Sequence, residues 1–108
     1  MEIKEVNEFI EEELDRLNEY YKDKNKDELT MAIGFKIIEE LGELFKEMLS
    51  HKEYQRKDKL DKLDRQNLEK EFADVIISVL IMAKKFDVDV EKAIKIKMAE
   101  IKGRVYTN

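Results

Sequence analysis

Apolar residues recur along this chain at steps of three and four. Ile3, Val6, Phe9, Ile10, Leu14, Leu17 and Tyr20 follow that rhythm and predict a first helix over residues 3–21. Residues 22–27 are almost wholly charged or polar and read as a connector, with Asn25 or Asp27 placed to cap the next helix. Leu29, Ile33, Ile37, Leu41, Leu44 and Met48 then mark a second helix over residues 28–49.

Residues 50–65 are charged and lack Gly and Pro, a pattern compatible with a helical extension, a short extra helix or a loop, with Asp58, Asp61 and Asp64 as N-cap candidates. A third helix is expected over residues 65–86. Its stretch from Val75 to Ala83 is apolar around nearly the whole circumference, which predicts burial on every side, as at the centre of a bundle or across a subunit interface. Asp87-Val88-Asp89 reads as a turn. Asp89 should cap a fourth helix over residues 90–102, and Gly103 should end it. The expected fold is therefore all-α: one domain over residues 1–108, an antiparallel four-helix bundle.

The chain has 108 residues, enough for one domain. A chain of this size buries only about 65% of its unfolded surface, so a second subunit, met through helix 3 or helix 1, is expected to complete the core as a homodimer or homotetramer. Charged residues make up 44% and hydrophobic residues 43%, a mix that suits amphipathic helices and has too much apolar content for a solvated coil. Cysteine is absent, which excludes disulfides and thiolate metal sites. The first residues alternate charged and apolar side chains, with no secretory h-region. The longest apolar stretch is too short to span a bilayer, so a cytoplasmic protein without a membrane partner is expected. A net charge of −5 with no dense basic face argues against nucleic acid as partner.

Most acidic residues fall on solvated faces, but two pairs depart from that pattern. Glu40 and Glu43 lie three apart on helix 2, and Glu71 and Asp74 three apart on helix 3; residues so spaced project from one side of a helix. Glu40 falls on the wheel between Leu29 and Ile33, inside the apolar stripe. Asp74 shares a face with Ile77 and Ile81. Ionised carboxylates near a core must be paired, protonated or metal-bound. Lys36 and Lys70, each one turn before an acid, compensate only in part. An all-oxygen donor set favours a hard cation, Mg²⁺ or Mn²⁺. Interhelical salt bridges at a bundle edge, in a non-enzymatic interaction module, would account for the same acids. A di-iron carboxylate site needs Glu-x-x-His pairs, and the residue three before His51 is Met48; His51 reads as a solvated residue at a helix end.

Glu39-Glu40-Leu41-Gly42-Glu43, followed after 27 residues by Glu71-Phe72-Ala73-Asp74, resembles the E-E-x-x-E and E-x-x-D pattern of the MazG-like, all-alpha nucleoside triphosphate pyrophosphohydrolases, over about residues 28–104. The resemblance implies that Glu40, Glu43, Glu71 and Asp74 bind Mg²⁺, which Mn²⁺ could replace. It implies that Glu39 orients or deprotonates the attacking water. A nucleoside triphosphate would be the substrate, cut between its α and β phosphates to monophosphate and pyrophosphate. The family's K-x-x-x-N-x-x-R pattern in helix 4 matches here at Lys97 and Arg104 but has Ile101 in place of Asn. Lys97 and Arg104, with Lys36 beside Glu40, are the basic side chains expected to face substrate phosphates. Tyr20 and Tyr21 are the candidates for stacking on a base. Gly42 costs a helix interior about 1 kcal/mol relative to Ala, which points to a close approach by helix 3, by substrate or by another helix crossing there.

Overall fold

The computed structural model describes the backbone of residues 1–54 and 62–106, and the side chains of residues 1–51 and 65–106. Four helices follow one another: α1 (Ile3–Tyr20), α2 (Lys26–Tyr54), α3 (Lys62–Lys85) and α4 (Val90–Lys102). No strand occurs among the described residues, so the class is all-α as the periodicity predicts. α2 runs through Ser50 and on to Tyr54, so the first part of the charged 50–65 stretch is a helical extension. Asp64 lies inside α3 instead of capping it, while Asp58 and Asp61 fall outside the described residues.

The helix ends are set by local hydrogen bonds. Asn25, not Asp27, caps α2: its Oδ1 accepts from the Glu28 N–H at 2.8 Å. Asp89 caps α4 by accepting from the Lys92 N–H at 3.1 Å. The turn before it places Asp87 at φ 56°, the left-handed region that Asp tolerates better than most side chains. Gly103 ends α4 as expected, but in a right-handed conformation, its N–H donating to the carbonyls of Ala99 and Glu100.

α2 and α3 form an antiparallel hairpin. Near the start of α2, Gly34 faces Met82 near the end of α3. Further along, Glu40 and Glu43 face Glu71. α1 packs against α3, and Ile10, Leu29, Ile33 and Ile81 make the buried core where the three helices meet. Val6, Leu14, Leu17, Tyr21, Ile37 and Ile77 pack around it.

Two features bear on the expected four-helix bundle. Ile76 and Val79 are exposed, so α3 is not enclosed on all sides within one chain. α4 buries none of its residues. Both have one cause: three helices offer too few neighbours to cover every apolar face that the sequence presents. No helix among the described residues is long and apolar enough to cross a membrane.

Candidate metal centre

The α2–α3 hairpin places acids from both helices at one level. Glu40 lies on the core side of α2, one turn beyond the Leu29–Ile33–Ile37 stripe, and is only 8% exposed. Glu43, one turn on, is exposed, and Glu71 reaches across from α3 half-buried. Carboxylate oxygens of these three residues all lie within 4.8 Å of one another.

One anion in this group has a counter-charge. The Lys36 ammonium sits 2.9 Å from Glu40 Oε1 and 3.7 Å from Glu39 Oε1, and this pairing with Glu40 above all raises the Lys36 pKa. Glu71 has no such relief. Among the described residues, its buried Oε2 meets no hydrogen-bond partner. Removal from water pushes its pKa above the ordinary value near 4.5, and the charges of Glu43, Glu40, Asp74 and Glu47 push it the same way. A buried oxygen without a partner, facing two further carboxylates, is an unfavourable arrangement for protein alone.

The remaining candidates are placed as follows. Asp74 lies one turn beyond Glu71; its side chain is exposed, outside the three-acid group but near enough to act on Glu71. Glu39 is exposed on α2. Lys97, on α4, pairs with Glu100 at 2.9 Å, and Arg104 is exposed just past the end of α4. Tyr21 is half-buried in a recess of about 210 Å³ between α1, α2 and α3, shared with Leu17, Ile33, Lys36, Ser78 and Ile81. Tyr20 packs edge-on against Tyr21 and is itself exposed.

Two readings need correction. His51 is not a solvated helix-end residue: it is 7% exposed, inside the extended α2, with Nε2 3.6 Å from Glu47 Oε1. Its burial follows from the periodicity, because position 51 continues the Leu29–Ile33–Leu44 stripe once α2 is known to run past 49. Gly42 does not admit α3: a Cβ there would meet nothing within 4 Å. Glu47 was not among the expected site residues, yet it adds to the negative field on Glu71; its position one turn after Glu43 was the available signal.

The donor set is all carboxylate, drawn from two helices, and suits a hard divalent cation. A bound cation would satisfy the orphaned Glu71 oxygen and offset the mutual repulsion of the acids. Comparison with protein-family models, with curated proteins and with solved structures gives no match to this chain.

Proposed function

We propose that this chain is a magnesium-dependent nucleoside triphosphate pyrophosphohydrolase of the cytoplasm, releasing nucleoside monophosphate and pyrophosphate and clearing unwanted nucleotides from the pool. One observation carries the reading: three carboxylates from two helices converge within 4.8 Å, and one of their oxygens is buried with no hydrogen-bond partner among the described residues. The E-E-x-x-E and E-x-x-D spacing supports it further. Broad specificity among bases rests on family analogy alone.

Glu40, Glu43 and Glu71 would hold Mg²⁺ or Mn²⁺, with Asp74 one turn away as a further ligand. The cation supplies charge neutralisation for a triphosphate that would otherwise be repelled by a chain of net charge −5. Lys36, beside Glu40 and Glu39, orients the acids and offers a cation to substrate phosphates. Glu39 is exposed and therefore accessible to water; in this proposal it positions or deprotonates the attacking molecule. Attack at the α phosphorus breaks the bond to the bridging oxygen between α and β, and pyrophosphate leaves.

The test is a panel of nucleotides incubated with the chain and Mg²⁺, with pyrophosphate and orthophosphate measured separately. Pyrophosphate release that falls at least tenfold in Glu40→Gln and in Asp74→Asn, with helix content unchanged, is the expected result. Full activity in both variants, or no pyrophosphate from any nucleotide, sinks the assignment. In the latter case the chain would be read as a non-enzymatic helical interaction module, in which the Lys36–Glu40 and Lys36–Glu39 pairs lie within α2.

A further inference from the structure

At the end of the hairpin where α2 begins and α3 ends lies a cleft of about 480 Å³ that the proposed chemistry does not use. Around it stand Lys22, Lys24, Lys26, Lys84 and Lys85, drawn from the connector after α1, the start of α2 and the end of α3. Leu14, Leu29 and Tyr21 also line it; Leu29 is buried and the other two half-buried, so the floor is apolar. The chain has a net charge of −5, so five cations around one cleft are not a consequence of composition.

Little of that charge is balanced within the chain. Lys22 pairs with Glu19 at 3.2 Å and Lys24 with Glu28 at 3.8 Å, both on exposed surface where such pairs contribute little. Lys26, Lys84 and Lys85 make no ion pair among the described residues, and Lys85 is half-buried. Asp87 lines the cleft too, but among the described residues it pairs with none of the five. Lysines in the last turn of a helix often serve its terminal carbonyls. Here the N–H groups of Phe86, Asp87 and Val88 already donate to the carbonyls of Met82, Ala83 and Lys84, so the side chains of Lys84 and Lys85 are not needed there. Ammonium groups gathered without counter-charge repel one another, and an anion in the cleft would offset that repulsion.

We infer that this cleft binds a small organic phosphate, with two or more phosphate groups among the lysines and an apolar or ring-shaped body against Leu14, Leu29 and Tyr21. Phosphate suits the cations because each of its oxygens can accept from a separate ammonium group. The volume suits a ligand of nucleotide size, within the about 300–1,000 Å³ of small-molecule sites. The lysines ring one cleft and do not extend along a face, which favours a small anion over a nucleic-acid duplex. Lys26 lies fourteen residues before Glu40 on α2, about 21 Å along the helix axis. One triphosphate chain does not reach both, so this is a second site, separate from the acids of the metal centre. It stands whether or not the proposed hydrolysis does.

The test is calorimetric binding to the whole chain in EDTA, where the metal-free acids repel phosphate. The probes are ATP and inorganic triphosphate. ATP is expected to bind, at least tenfold tighter than inorganic triphosphate, and to weaken as salt rises. Lys26→Gln, Lys84→Gln and Lys85→Met together should lower its affinity at least tenfold with helix content unchanged. Lys92→Gln, Lys95→Gln and Lys102→Gln, which remove the same charge from α4, should leave it within about twofold. No binding of ATP, or an equal loss in both triple variants, overturns the inference, and equal affinity for the two probes overturns the assignment of an organic ligand. Because the cleft variant could lose its fold, amide NMR shifts of the wild type give an independent reading. ATP in EDTA should move the signals of residues 22–29 and 84–88. Shifts confined to residues 36–43 and 71–74 overturn the inference.

Discussion

Lys36 donates to the Glu40 carboxylate at 2.9 Å, four residues apart on α2, and so satisfies one acid of a cluster whose member across the hairpin, Glu71, keeps a buried oxygen with no hydrogen-bond partner among the described residues. The pairing is unequal: Lys36 is more than half exposed and Glu40 is buried. An exposed ion pair contributes only about 0–1 kcal/mol, so Lys36 tempers the negative field without removing it.

If Lys36 competes with a cation for Glu40, its removal strengthens metal binding. Lys36→Met should lower the melting temperature of the metal-free chain by a few degrees. Magnesium should then raise it by more than it raises wild type, through preferential binding to the folded state. Equal magnesium shifts in the two proteins would argue against competition at Glu40.

Glu71→Gln removes the charge that burial and four neighbouring acids oppose. The metal-free variant should be more stable than wild type at neutral pH, while pyrophosphate release in Mg²⁺ drops at least tenfold. Loss of stability together with unchanged turnover would place Glu71 in a purely structural role.

The pH dependence follows from the same residue. The Glu71 pKa is raised on folding, so the folded state binds the proton more tightly than the unfolded chain does. Its contribution is therefore favourable at low pH and turns into a penalty as pH rises above the unfolded value near 4.5 and through the folded one. Chemical denaturation without metal should show stability falling across that window, and the fall should be smaller in Glu71→Gln. Magnesium, which favours the ionised form, should flatten the profile. A metal-free profile identical in wild type and variant would contradict the assigned environment of Glu71.

Two substitutions probe the frame that carries the site. Asn25→Ala removes the acceptor for the Glu28 N–H at the start of α2 and should cost about 1 kcal/mol in urea unfolding. Ile33→Ala opens the shared core of α1, α2 and α3 and should cost about 2–5 kcal/mol, a large share of the total stability of a small domain. A cost below that of the cap loss would show that Ile33 is not a core residue.

The sequence by itself determined the four helices, because α1 and α2 carry a three-and-four apolar periodicity, α3 a long apolar run, and Asn25 and Asp89 supply the capping acceptors of α2 and α4. It also determined which acids stand out, since Glu40 interrupts an apolar stripe and Glu71 leads into one. Only the tertiary structure decided that Glu40, Glu43 and Glu71 converge while Asp74 faces solvent, because the relative rotation of α2 and α3 depends on packing between residues distant in the chain. It likewise decided that Ile76, Val79 and nearly all of α4 stay uncovered. Periodicity records that a face is apolar; what meets that face depends on how many helices are present to cover it.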